Sequence, residues 1–122
     1  MSVQVLICDD QKAFRGAARE VVNATVGFEV VGEAATGEDS VVAAGILLPD
    51  LVLMDVQLPG IDGIEASRQI KAAHPGVAVL LLSTQDPENF AARIGRAGAI
   101  GFMSKASFGP DRLTEVWSQF RT

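Results

Sequence analysis

The sequence predicts an α/β fold in which an open parallel sheet is covered by helices on both faces. Three observations lead there. Five apolar runs recur at regular intervals along the 122 residues. Segments with helical period and helix-start signals separate them. Most of the runs are nearly continuous and rich in Val and Ile, as strands buried on both faces must be.

The apolar runs are Val3–Cys8, Phe28–Ala34, Leu51–Met54, Val77–Leu82 and Ile100–Met103. After the first, Lys12–Val26 places Phe14, Ala18, Val21 and Val22 on one helical face. After the second, Thr36-Gly37-Glu38-Asp39 has the capping-box pattern and opens a helix to about Leu48. Asp62-Gly63-Ile64-Glu65 repeats that logic, and the helix it opens stops at His74-Pro75-Gly76. Asp86-Pro87 reads as a cap and a first-turn proline for a helix to about Ala97, which Gly98 ends in a left-handed conformation. Pro110 opens a last helix to about Phe120, striped by Leu113, Val116, Trp117 and Phe120. Five strand–helix repeats imply right-handed crossovers between parallel strands. Residues 1–122 thus read as one domain, in line with the usual domain size.

Composition narrows the function classes. Hydrophobic residues at 48% and charged residues at 20% describe a globular chain. Ten Lys and Arg against fifteen Asp and Glu leave a net charge of −5. That argues against unaided nucleic-acid binding by this chain, but not against binding a cation. One Cys and one His exclude an internal disulfide and a zinc site of several Cys and His ligands. Cys8, within the first strand, reads as a buried small hydrophobe, and His74 as a helix-terminal residue. No secretory signal is legible at MSVQVLICDD and no long apolar span exists, so the expected location is cytoplasmic, away from a membrane.

In open parallel sheets, ligands bind beyond the carboxyl ends of the strands. Asp9 and Asp10 follow the first strand, Asp55 ends the third, Ser83 and Thr84 follow the fourth, and Lys105 follows the fifth. Alone, Asp10 reads as a helix cap, Asp9 as a solvated loop residue, Ser83 as a turn residue and Lys105 as surface. Together they are a coherent set from four strands. Clustered carboxylates repel one another unless a cation neutralises them. A hard divalent ion such as Mg²⁺ suits oxygen ligands and keeps open positions for a phosphoryl group. A carboxylate can itself attack phosphorus, an ammonium supplies positive charge, and a hydroxyl donates to a phosphoryl oxygen.

These residues carry a resemblance. Leu6-Ile7-Cys8-Asp9-Asp10, the run from Leu53 to Gly63 (LMDVQLPGIDG), Leu82-Ser83-Thr84 and Gly101-Phe102-Met103-Ser104-Lys105 occur in order. Over essentially its whole length the chain resembles the CheY-like receiver domain of two-component response regulators. Lys105 followed by Ala106 rather than Pro, Val31-Gly32-Glu33-Ala34, and Leu58 to Gly63 look most like the LuxR-type (NarL/FixJ) regulators. A cis bond at Lys105–Ala106 would cost about 2.5–4 kcal/mol, so a trans bond is expected.

The resemblance implies a flavodoxin-like, doubly wound sheet of order 2-1-3-4-5 with five helices. It implies Asp55 as phosphoacceptor from a sensor histidine kinase. Asp9, Asp10, Asp55 and the Gln57 backbone carbonyl would hold Mg²⁺. Lys105 would pair with the phosphoryl group, Ser83 and Phe102 would be the switch positions, and Thr84 would be secondary. Activity would be limited to Mg²⁺-dependent self-phosphorylation and autodephosphorylation. The output face would be the fourth helix, fifth strand and fifth helix. No effector domain is expected within residues 1–122. The output would be a C-terminal helix-turn-helix DNA-binding domain outside this chain or, for a stand-alone receiver, a protein partner. A homodimer formed on phosphorylation is a further expectation, with Arg93 and Arg96 offering interprotomer ion pairs and Trp117 or Phe120 an apolar contact. Two enzyme-like alternatives fit less well. A haloacid-dehalogenase-type phosphatase wants a second Asp where Gln57 stands, and a flavin phosphate would be repelled by Asp9 and Asp10.

Overall fold

Runs of apolar residues pair as strands because each can bury side chains above and below the sheet at once. The computed structural model describes residues 2–121. Its order is β1 Val3–Cys8, α1 Lys12–Ala24, β2 Phe28–Ala34, α2 Gly37–Leu47, β3 Leu51–Asp55, α3 Gly63–Ala73, β4 Ala78–Ser83, α4 Ala91–Ala97, β5 Gly101–Ser104 and α5 Pro110–Arg121. Two short 3₁₀ turns, Pro87–Asn89 and Lys105–Ser107, precede α4 and α5. All pairings are parallel and the strand order is β2-β1-β3-β4-β5. This is the expected flavodoxin-like arrangement.

Strand alternation divides the core in two. Leu6, Cys8, Val52, Met54, Val79 and Leu81 face α2, α3 and α4, where Ala44, Ile64 and Ile70 meet them. Val5, Ile7, Leu51, Leu53, Leu80 and Leu82 face α1 and α5, where Ala18, Val22 and Leu113 meet them. Each fully buried aliphatic side chain contributes about 1.5–3 kcal/mol. Every residue of β3 and β4 is buried, whereas β2 and β5, at the two edges, are largely half-exposed.

Local signals set several boundaries. Thr36 accepts a hydrogen bond from the Asp39 N–H, and Asp62 accepts one from the Glu65 N–H, so both caps form. Gly98, at φ 75°, ends α4 as expected.

Three expectations need correction. α1 stops at Ala24 rather than Val26, because the Thr25 N–H turns back to Val22 and Gly27 takes φ 84°; Val26 is left exposed. Asp10 does not cap α1; Gln11 holds that position without a side-chain bond. The helix expected from Asp86 to Ala97 is broken at Phe90. Phe90 (φ −130°, ψ 5°) turns in to pack on the core while residues 86–89 stay exposed, and Asp86 makes no cap bond.

Candidate functional site

The central strands carry two carboxylates to the same edge. Asp9 follows β1, and its N–H bonds the Ala34 carbonyl of β2 at 3.0 Å. Its side chain is almost wholly buried, with Oδ1 accepting the Gln11 N–H at 2.8 Å. Arg15, on α1, donates to the Asp9 carbonyl at 2.7 Å and pairs with Glu33 of β2 at 3.2 Å. Asp55 ends β3 opposite Leu82 and is 6% exposed. Its Oδ1 accepts the Gln57 N–H at 3.2 Å.

The loop after Asp55 is tied on two sides. The Gly63 N–H bonds Val56, the Gly37 N–H bonds Pro59, and the Ile61 N–H bonds Glu38. Gly63 lies so close to β3 that a Cβ there would stand 1.8 Å from the Asp55 carbonyl oxygen. Gly60 takes φ 77°, which glycine adopts without a steric penalty.

Lys105, directly after β5, closes the cluster. Its Nζ lies 2.6 Å from Asp9 Oδ2 and 3.3 Å from Asp55 Oδ2, with the side chain only 9% exposed. The 3₁₀ turn that carries it is capped by the Ser104 hydroxyl, which accepts the Ala106 N–H. The Lys105–Ala106 bond is trans.

Asp10 is exposed, yet its carboxylate reaches the same place. One oxygen from each of Asp9, Asp10 and Asp55 lies within 4.8 Å of the others. Asp9 Oδ2 is buried and faces the Lys105 ammonium at 2.6 Å. An all-oxygen set of three carboxylates fits a hard divalent cation, so these three residues could hold one.

The electrostatics follow from crowding. Burial raises the Asp55 carboxyl above its ordinary range and the charge of Asp9 adds to that; the Gln57 N–H and Lys105 oppose it. Cys8, directly before Asp9, is pushed up to about 12, chiefly by burial; a Ser40 hydrogen bond opposes the rise and the Asp9 charge adds to it. Its thiol stays protonated at neutral pH and packs as an apolar group.

Ser83 ends β4, is buried, and accepts the Gln85 N–H at 2.9 Å. Thr84 and Gln57 are exposed. Phe102 lies opposite Leu81 and packs half-buried on the core beneath α2, α3 and α4. Arg93 pairs within the chain, with Asp62 at 2.7 Å, and Arg96 bonds the Ala92 carbonyl. Trp117 meets Phe28 edge-to-face and Phe120 at a 43° tilt, and Phe120 is 46% exposed.

Two residues of the site were missed from the sequence. Arg15 holds the Asp9 backbone, and the Phe14 ring lies 4.4 Å from Lys105 Nζ. Both sit on α1 rather than at a strand end. The helical period explains Phe14 as a core residue, and only the close approach of α1 to the last β–α connection gives either a place in the site.

Among the described residues no helix is long and apolar enough to cross a membrane. A family profile described as the response regulator receiver domain matches residues 5–117. The response regulator GacA of Pseudomonas viridiflava is 38% identical over 105 residues, covering 86% of this chain and 49% of the relative. The response regulator UvrY of Escherichia coli K12 is 36% identical over 118 residues, covering 97% of this chain and 54% of the relative. The chain therefore spans about half the length of these curated relatives. Among solved structures, a LuxR-family two-component response regulator from Aurantimonas sp. SI85-9A1 superposes with a TM-score of 0.88 at 29% identity, covering 98% of this chain and 85% of that one. The response regulator domain of Thermotoga maritima CheB gives 0.86 at 25% identity, covering 100% and 98%. With its strand order, its acidic edge and these relatives agreeing, the chain belongs to the response regulator receiver domain family.

Proposed function

We propose that this chain is a phosphorylation switch in which Asp55 takes a phosphoryl group from a sensor histidine kinase. Receiver domains act as signalling phosphoacceptors and work with histidine kinases and effector domains. The observation that carries the residue assignment is the cluster of Asp9, Asp10 and Asp55, with the Lys105 ammonium paired to both Asp9 and Asp55.

A carboxylate oxygen of Asp55 attacks the phosphorus of a phosphohistidine. The new O–P bond forms as the P–N bond breaks, and the departing imidazole nitrogen takes a proton. Asp9, Asp10, Asp55 and the Gln57 carbonyl are the residues that would hold Mg²⁺. When bound, the cation supplies charge that offsets the crowded carboxylates and the incoming phosphoryl oxygens. Lys105 shifts its ion pairing from the free carboxylates to the phosphoryl oxygens. Ser83 releases the Gln85 N–H and donates its hydroxyl to the phosphoryl group, with Thr84 beside it. Phe102 turns into the space this opens and biases the surface of α4, β5 and α5.

Residues 1–122 act as one receiver, and its output is an effector region or protein partner outside these residues. The length of the relatives and the description of one 38% identical relative as a transcriptional regulatory protein support a DNA-binding output. Homodimerisation through the α4–β5–α5 surface accompanies phosphorylation. Mg²⁺-dependent self-phosphorylation, autodephosphorylation and cytoplasmic location complete the reading.

Incubation with a small acyl-phosphate donor and Mg²⁺ tests it by intact mass. The expected result is a gain of one phosphoryl group, sensitive to hydroxylamine and absent in Asp55→Asn. Labelling of Asp55→Asn at the wild-type level would falsify the assignment. Unchanged Mg²⁺ affinity in Asp9→Ala/Asp10→Ala would move the cation site elsewhere.

A further inference from the structure

We propose that Phe14 is a positioning residue whose ring holds the Lys105 ammonium against the Asp9–Asp55 pair and so sets how fast Asp55 accepts a phosphoryl group. The inference rests on the phosphoacceptor reading of Asp55. It starts from the surroundings of one ammonium. Two carboxylates approach Lys105 Nζ on one side, at 2.6 and 3.3 Å, and the Phe14 ring approaches it with its centroid at 4.4 Å. The side chain is 9% exposed, so little water competes.

A lysine ammonium ends a flexible four-carbon stem, and its position is not set by the backbone that carries it. Here that backbone is a single 3₁₀ turn. An aromatic face attracts a cation through its quadrupole, more strongly when water is excluded. The ring is itself supported. Phe108 follows the same turn, its N–H bonding the Lys105 carbonyl, and its ring lies 6.4 Å from that of Phe14 at 47°. The start of α1 and the connection from β5 to α5 thus meet over Lys105. A swing of Lys105 away from the carboxylates would have to displace a buttressed ring. Leucine at position 14 would fill much of the same apolar space without the quadrupole.

The test compares Phe14→Leu and Phe14→Trp with the wild-type chain at saturating Mg²⁺. Initial rates of Asp55 labelling are measured against acyl-phosphate concentration, together with Mg²⁺ affinity, the thermal midpoint and the NMR shifts of the Lys105 ε-methylene protons. Phe14→Leu should lower the maximal rate by about 3- to 10-fold, the range expected for loss of one partly desolvated cation–π contact. Mg²⁺ affinity should hold within about twofold on the same reasoning, since Phe14 touches no carboxylate. Phe14→Trp should restore the rate. Upfield ε-methylene shifts from the ring current should be present in wild type and lost in Phe14→Leu. A wild-type rate in Phe14→Leu overturns the proposal, as do unshifted ε-methylene protons in the wild type. Slowing of both variants in proportion to their loss of thermal midpoint also overturns it, leaving Phe14 as packing only. A wild-type chain that takes no phosphoryl group overturns the phosphoacceptor reading as well, whereas labelling indifferent to Phe14 overturns this inference alone.

Discussion

The carboxyl edge of the sheet has two halves, held in different ways. On the β1–β3 side, Asp9 and Asp55 are buried, every residue of β3 is buried, and the following loop is tied by Gly37, Glu38 and Gly63. On the β4–β5 side, β4 is itself buried, but residues 84–89 after it are exposed, α4 has seven residues of which only Ala97 is buried, and β5 has only Met103 buried. Groups that act by charge at a defined point need a backbone that cannot relax. Segments with few buried contacts open at low free-energy cost. Under the switch proposed above, the held half does the chemistry and the loosely packed half carries the change. Lys105 belongs by sequence to the second half and by contact to the first, which makes it the joint between them.

The largest effect should come from Gly63→Ala. Its Cβ would stand 1.8 Å from the Asp55 carbonyl, which is backbone and cannot swing aside. A loss of roughly 3 kcal/mol or more in denaturant unfolding is expected, at the severe end of single substitutions. A loss under about 1 kcal/mol, that of an ordinary substitution, would mean the held half is far more pliant than its packing implies.

Asp62→Ala and Arg93→Ala separate the halves more finely. Asp62 both caps α3 and pairs with Arg93 across to α4. Removing Asp62 should cost about 1 kcal/mol, the usual worth of such a cap. Removing Arg93 should cost roughly 0.5 kcal/mol or less, as exposed ion pairs do. Amide hydrogen exchange should rise at residues 91–97 in both variants and around residues 63–66 only in Asp62→Ala. Faster exchange throughout α3 in Arg93→Ala would show the halves to be one cooperative unit.

The smallest effect concerns Glu33, which Arg19 and Arg15 hold below the usual carboxylate range, chiefly through the Arg19 hydrogen bond. A lowered folded-state value stabilises the protein above the unfolded value near 4.3. That contribution is lost as pH falls through the folded value. Glu33 is exposed, so it is worth only about 0.5 kcal/mol or less. Glu33→Gln should lower stability by that amount at neutral pH and not at all in strong acid, measured as unfolding midpoints across pH. A larger loss would mean that Arg15 needs Glu33 to hold the Asp9 backbone.

The fold was legible because burial and periodicity are short-range readings of one pattern. β1 and β2 fall at Val3–Cys8 and Phe28–Ala34 as expected, and the Thr36 and Asp62 caps form. The misreadings lie where tertiary packing overrides a local signal. Asp86-Pro87 has the chemistry of a helix start, but Phe90 is drawn into the core and breaks the helix. Arg15 and Phe14 had no cue, since a helix residue reaches a strand-end site only through the packing of that helix.

By itself the chain's pattern determined the alternation of strands and helices, the covered central strands, and the placing of Asp9, Asp10, Asp55 and Lys105 at strand ends. Those follow from hydrophobic period and chain order, which are local properties. Only the tertiary structure decided that Asp9 would be buried, that Lys105 would join two carboxylates separated from it by 96 and 50 positions of chain, and that Phe14 would stand over it. The reason is physical. Where a long side chain ends depends on every element packed around it, and no local pattern carries that information.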